Sequence, residues 1–358
     1  MKLLPAQYRA GDRLPRELDL CRQLGVSLMT LREALAILYH EGIVERKRGS
    51  GTYYVGKRRK RHVAVLVPWQ KHGRHGLSPG LREGVAHLLE GLREDGVPHR
   101  VYIGRQLERE NVFTYGYPEL GGAAARGEVL AALNPCGRVD ETDLAGLKAS
   151  GVPLCGCSSR ADARVTHQVP EGIRTAIAWL AARGRRRVAY MDVLARSGGD
   201  AGSSSERFAA FCEGLYEARL PIVREWILRD FHPGRSGAGW SNLREIWSAR
   251  PEKPDALICC DETFLPEVVT ALGELGIETP GQLSIVSHAT AGYLPDPARV
   301  SAIIETDPQA YAAVLREQAA SLVAGTPLAT EIRRLPARWV VMEGKAAEAS
   351  GVPGVVAH

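Results

Sequence analysis

Arg46, Lys47 and Arg48 run without a break into Gly49-Ser50-Gly51, and Lys57 to Arg61 adds five cations in a row. Cations packed this closely suit contact with phosphate oxygens. The charge distribution supports that reading. Residues 1–61 hold 14 Lys/Arg and 6 Asp/Glu, a net of +8, and the remainder holds 32 and 35, a net of −3. The whole positive excess of the 358-residue chain therefore sits in one small segment, which points to a polyanion partner. A solvated basic face is the bland alternative, and the ordered apolar pattern of the segment argues against it.

Three elements must position these cations. "PRELDLCRQLG" reads as a short helix, with Pro15 in its first turn, Glu17 and Asp19 at the positive end of its dipole, and Leu20, Cys21 and Leu24 on one face. Gly25 caps its end. A second helix starts behind Ser27, a good N-cap, and carries Leu31, Ala34, Leu35 and Leu38 at i, i+3, i+4, i+7 before Gly42 closes it. Two strand-like runs follow, one begun by Ile43 and Val44 and one formed by Tyr53, Tyr54 and Val55, with the glycines supplying a tight hairpin. A helix-turn-helix followed by a two-stranded wing is a winged helix.

The stretch "GDRLPRELDLCRQLGVSLMTLREALAILYHEGIVERKRGSGTYYV" resembles the DNA-binding domain of the GntR family of bacterial transcription regulators over about 45 residues. Gly11-Asp12, Leu14-Pro15, Glu17, Leu20, Gly25-Val26-Ser27, Thr30, Arg32, Ala34-Leu35, Leu38, Glu41-Gly42 and Gly49-x-Gly51-Thr52 carry the likeness. It implies a DNA-binding face of Glu17, Ser27, Leu28, Met29, Thr30, Arg32, Arg46, Lys47, Arg48, Gly49, Ser50 and Gly51. Ser27 and Thr30 would bond phosphates, and Leu28 or Met29 would press on thymine methyls. Arg32 would reach a guanine edge or a phosphate, and the wing would lie along the backbone or minor groove. Ser27 can equally act as a cap alone, and Leu28 can equally pack on an oligomer mate. The chain departs from the family in three ways. At most a remnant of the family's first helix precedes "GDRLP", and Leu18 and Leu28 stand where the family commonly has DNA-touching arginines.

Beyond Arg61 the pattern changes. "RHVAVLVPW", "HRVYIG", "VPLCGCSS", "RRVAYMDV", "PDALICCDE" and "LSIVSH" read as strands, alternating with helical segments such as "GLREGVAHLLEGLREDGV" and "FLPEVVTALGELGI". Two such series predict two α/β lobes with parallel sheets and helices on both faces, and ligands in such sheets sit beyond the carboxyl ends of the strands.

"AIAWLAARGRRRVAYM", "SSERFAAFCEGL", "PDALICCDE", "ALGELGIETPGQLSIVS" and "RLPARWVV" resemble the periplasmic-binding-protein-like effector domain of LacI/GalR regulators. That resemblance implies a sugar or related polyol bound between lobes. Arg207 and Asp261 would grip its hydroxyls, Trp240 would stack on a sugar face, and Trp69 and Gln70 would touch it from the first strand. Each has a plainer alternative: Arg207 pairs with Glu206 or Glu213, Asp261 caps the helix near Phe264, and the tryptophans pack. "SHAT" and "HQVPEG" replace turns where the family commonly has aspartates, so the ligand differs from a plain hexose or the pocket is degenerate.

The expected organisation is a winged helix over 1–56, a basic linker over 57–61, a two-lobed effector and dimerisation domain over 62–343, and a loose tail over 344–358. The expected function is transcriptional regulation, repression in particular, by a cytoplasmic homodimer that binds an operator duplex and a small effector and has no membrane partner. The alternative is an architectural DNA binder with an empty cleft. No catalytic motif, cofactor motif or metal-ligand spacing stands out, so an enzyme body is the weakest reading. The seven cysteines read as small buried hydrophobes.

Overall fold

The computed structural model describes residues 8–9, 11–40, 43–47, 49–55, 61–69, 79–109, 112–135, 139–192, 202–229, 237–294 and 296–342. The expected first-helix remnant, Gly42, Arg48, the tether at 57–60, Gln70 and the C-terminal tail lie outside the described residues. The chain divides into two compact units, Met1–Lys60 and Arg61–His358.

The first unit is built on two helices, α1 (Glu17–Leu24) and α2 (Leu28–His40), and a hairpin of β1 (Val44–Lys47) and β2 (Gly51–Tyr54). Gly25 ends α1 in the left-handed region at φ 66°, its N–H on the Cys21 carbonyl. The Ser27 hydroxyl accepts from the Thr30 amide at 3.1 Å and caps α2. Leu14, Leu20, Leu31, Leu38, Ile43, Val44 and Tyr54 form the core. Pro15 lies ahead of α1, whose N-cap is Arg16, rather than in its first turn. Leu24 is exposed, so the buried face of α1 rests on Leu20 with Cys21 half-buried. In the hairpin Val44 faces Tyr54 and Lys47 faces Gly51, and Gly49 holds φ 76° at the tip. The "GDRL" segment pairs with the other edge of β2, where the Leu14 amide donates to the Thr52 carbonyl at 2.8 Å.

The second unit holds two sheets. One runs in the order β14-β8-β7-β6-β3-β4-β5 and is made of β3 (His62–Trp69), β4 (His99–Arg109), β5 (Val112–Gly116), β6 (Val129–Asn134), β7 (Leu154–Gly156), β8 (Ala163–His167) and β14 (Arg333–Leu335). The other runs β10-β9-β11-β12-β13-β15, from β9 (Val188–Met191), β10 (Ile227–Leu228), β11 (Ala256–Cys259), β12 (Ser284–Thr290), β13 (Ala302–Thr306) and β15 (Arg338–Val341). All pairings are parallel except β4 with β5 and β13 with β15.

The central strands β3, β6, β9 and β11 are nearly all apolar because helices cover both faces of each sheet. Val63, Val65 and Val67 of β3 point into one core with α3 (Pro79–Glu94), while Ala64 and Leu66 point into another with α4 (Leu120–Ala125) and α5 (Glu141–Ala149). In the second lobe Ala256 and Ile258 of β11 face α6 (Val169–Ala182) and α7 (Gly202–Glu217). Leu257 and Cys259 face α8 (Ala238–Ser248) and α9 (Leu265–Leu275).

The two series build one lobe each, β3 to β8 the first and β9 to β13 the second, but the chain after β13 does not stay in the second. After β13 the chain returns as α10 (Pro308–Val323), whose Tyr311, Val314, Leu315 and Ala319 complete the first lobe's core against α3. β14 then joins the first sheet and β15 the second. The chain thus crosses between lobes three times, after β8, β13 and β14. At the first and third crossings the Gln168 amide donates to the Leu335 carbonyl at 2.8 Å.

Candidate DNA-binding face and effector cleft

On the first unit, α2 turns Leu31 and Leu38 inward and leaves Met29, Thr30 and Arg32 outward, Met29 at 70% exposure. Leu28 is half-buried. Ser27 both caps the helix and meets the Thr30 hydroxyl at 2.9 Å. Glu17 lies between two guanidinium groups: Arg32 Nε donates to its Oε2 at 2.8 Å and Arg46 Nη2 to its Oε1 at 2.9 Å. Lys47 Nζ sits 5.0 Å from the centre of the Tyr53 ring, and the Ser50 hydroxyl meets the Tyr53 hydroxyl at 2.6 Å. Gly49 and Gly51 hold positive φ, the backbone conformation that the tight turn around Ser50 requires. Arg13 was not anticipated: its guanidinium lies where a Cβ on Gly51 would meet Nε at 2.8 Å. Leu18, the position without the family's arginine, is 64% exposed.

On the second unit, the carboxyl ends of β9, β11, β12 and β13 carry a polar cluster. Arg207, near the start of α7, makes a fork with the fully buried Asp192 at the end of β9, Nη2 to Oδ1 at 2.7 Å and Nε to Oδ2 at 3.1 Å. The Tyr190 hydroxyl donates to the same carboxylate at 2.8 Å. Neither partner expected for Arg207 is used. Glu206 reaches the first lobe instead, accepting from Arg164 of β8 at 3.0 and 3.3 Å, and Glu213 pairs with Arg174 of α6. Burial opposes the charge on Arg207, but Asp192 outweighs it and holds the guanidinium firmly protonated.

Asp261, at the end of β11, caps the short 3-10 turn Glu262–Phe264 by accepting from the Thr263 amide at 2.9 Å. Burial raises its pKa against the pull of that bond. The buried Glu262 beside it accepts from the Thr290 hydroxyl at 2.9 Å and from the Thr290 amide, and burial pushes its carboxyl up to about 7. His288 Nε2 lies 3.2 Å from the Thr306 hydroxyl, and burial, with Arg207 and His167 nearby, brings its pKa down to about 3. From the first lobe, Gly80 of α3 packs on Thr290 so tightly that a Cβ there would lie 2.0 Å from its Oγ1.

Trp69 ends β3 with 54% of its surface exposed. Trp240 has the packing role left open by the sequence: Nε1 donates to Glu274 of α9 at 2.8 Å, Arg244 covers its ring at 4.7 Å, and it rests on the second lobe's core. Sequence reasoning missed Asp192, Glu262 and the Arg164–Glu206 bridge. Asp192 had a usable signal, since "RRVAYMD" ends in a carboxylate as "PDALICCD" does, at the strand end where ligands gather. Among the described residues no group of His, Cys, Asp and Glu could hold a metal ion, and no helix is long and apolar enough to cross a membrane.

Residues 1–53 match the family model for bacterial regulatory proteins of the gntR family, and residues 177–343 match that of the periplasmic binding protein-like domain. The chain therefore joins a GntR-type helix-turn-helix domain to a two-lobed periplasmic-binding-protein-like body. Curated relatives agree in kind. The transcriptional repressor PurR of Actinobacillus pleuropneumoniae serotype 3 (strain JL03) is 34% identical over 86 residues, 24% of this chain and 24% of its own length. The uncharacterized regulator YcbG of Bacillus subtilis is 47% identical over 65 residues, 18% of this chain and 28% of its own. This chain thus aligns with only about a quarter of the curated relatives' length. Solved structures share the fold over far more. The transcription regulator CcpA of Lactococcus lactis superposes with a TM-score of 0.62 at 12% identity, over 78% of this chain and 97% of its own. A LacI-family regulatory protein from Chloroflexus aggregans gives 0.60 at 16%, over 78% and 98%.

Proposed function

We propose that this protein is a DNA-binding transcriptional repressor whose grip on its operator is controlled by a small hydroxyl-rich effector, a sugar or related polyol, held between the two lobes. One observation carries the reading: the exposed face of α2 stands beside a basic wing on the unit that holds the chain's whole positive excess. Met29, Thr30 and Arg32 read or anchor the duplex, with Ser27 and Leu28 at the helix entry, and Arg46, Lys47, Arg48 and the tip Gly49-Ser50-Gly51 follow the backbone. In the cleft, Trp69 offers an apolar platform, Asp261 offers a polar contact, and Arg207 offers Nη1, which its fork with Asp192 does not use. The effector favours one lobe geometry over the other, and that preference is what changes operator affinity. A cytoplasmic homodimer fits this role, and the outward Val101 and Ile103 of β4, at 37% and 53% exposure, are a fitting apolar contact for a second copy.

The test has two arms. Duplexes selected from a random pool by the full chain should bind with an affinity that falls steeply with salt, and a chain lacking residues 1–61 should not bind them. Undiminished binding by the shortened chain removes the first half of the reading. A thermal-shift screen with sugars and sugar phosphates should raise the melting temperature for at least one compound, which should also release the selected duplex. A flat screen favours a regulator with an unused cleft.

A further inference from the structure

We infer that Glu17 is a positioning residue for operator recognition: its carboxylate sets the orientation of Arg32 on the recognition helix and Arg46 on the wing together, at a cost in sequence-independent affinity. The inference rests on the DNA-binding reading above. Its basis is the convergence of three elements on one carboxylate. Glu17 comes from α1, Arg32 from α2 and Arg46 from β1, and each oxygen of Glu17 accepts from a different arginine. The Glu17 side chain is 22% exposed, and those of Arg32 and Arg46 are 61% and 71% exposed.

Ion pairs so open to water add little to folding stability, so the geometry has little value as a staple. An anionic group on a face that meets phosphates is also unfavourable for binding any duplex. What the arrangement supplies is direction. Arg32 engages Glu17 through Nε, which leaves its two terminal nitrogens, the pair able to grip a guanine O6 and N7, outside that bond on a largely exposed side chain. Arg46 engages through Nη2, which ties the first strand of the wing to the same carboxylate. A planar guanidinium already held in one orientation loses less freedom on binding than one free to turn. The sign of the effect is therefore diagnostic. A carboxylate that merely repelled phosphates would weaken all duplexes alike, whereas an orienting carboxylate strengthens the selected sequence relative to others.

The experiment uses the full chain, a duplex selected by the wild type and a scrambled duplex of equal length, across a range of salt concentrations. Glu17→Gln and Glu17→Ala should weaken the selected duplex about tenfold, the size of one oriented base contact, while the scrambled duplex binds as well or better. Glu17→Ala placed in an Arg32→Ala background should add less than it does alone, because the group it orients is gone. Circular dichroism melts of each variant confirm a folded first unit. Equal tightening of both duplexes, or full additivity with Arg32→Ala, overturns the inference and leaves the DNA-binding reading intact. Should the wild type bind no duplex in a salt-dependent manner, both fall together.

Discussion

The two units each place arginine against carboxylate, and they do it in opposite surroundings. In the first, Glu17 holds Arg32 and Arg46 in the open, with both guanidinium groups more than half exposed. In the second, Asp192 is wholly buried and Arg207 is 19% exposed. Water screens the first cluster, so its bonds can be exchanged for phosphate or base contacts at little cost. The second has lost its solvation, and each charge depends on the other. One cluster is suited to trading partners, and the other fixes the start of α7 to the end of β9.

The strongest way to break this comparison is Asp192→Ala. It strands the Arg207 charge and should lower unfolding free energy by about 3–5 kcal/mol in denaturant titration. A loss below about 1 kcal/mol would place the second cluster in the same class as the first.

Next comes the pH dependence set by Glu262. Its pKa rises on folding to about 7, so the protonated form is favoured in the native state. That contribution is complete below the ordinary glutamate value and is lost as pH rises through about 7. His288 acts in reverse: its pKa falls on folding to about 3, so its contribution is complete above the ordinary histidine value and is lost as pH falls below it. Glu262→Gln keeps the shape and should remove the alkaline loss, gaining about 3 kcal/mol on the wild type between pH 4.5 and pH 8. Unfolding titrations across that span that run parallel for the two proteins would show that Glu262 does not titrate as its burial requires.

The Arg164–Glu206 bridge lies between the extremes, with side-chain exposures of 11% and 44%. Arg164→Ala should cost about 1 kcal/mol and open the lobes, read as a larger radius of gyration in solution scattering. Exchanging the two residues, Arg164→Glu with Glu206→Arg, should restore both. The smallest effect belongs to Glu17→Ala, which should change unfolding free energy by less than about 1 kcal/mol even as it alters duplex selectivity.

The first unit was legible because its signals are local. Leu31 and Leu38 repeat at helical spacing and are buried, Ser27 and Gly25 mark the helix ends, and Gly49 and Gly51 mark the wing. The central strands were legible because sheets covered on both faces need unbroken apolar runs. The ion pairs were not, because partners meet across chain separations that periodicity does not encode. Glu206 is one of the two alternative partners the sequence offers Arg207, but successive helix residues point about 100° apart, and Glu206 faces the other lobe. Asp192 meets Arg207 from a strand end fifteen residues earlier. The stretch "RLPARWVV" carries the family likeness but does not read as strands, because β14 and β15 are only three and four residues long and not fully buried, with arginines where a core strand would be apolar.

The return of α10 to the first lobe has a consequence for synthesis. A nascent chain that has emerged only as far as β8 possesses six of that lobe's seven strands. It still lacks Tyr311, Val314, Leu315 and Ala319, which cover Val63, Val65 and Leu88. The first lobe therefore waits, part of one apolar face uncovered, until residues 308–323 have emerged, and any message cut short before α10 yields a sticky half-finished product rather than a smaller working one.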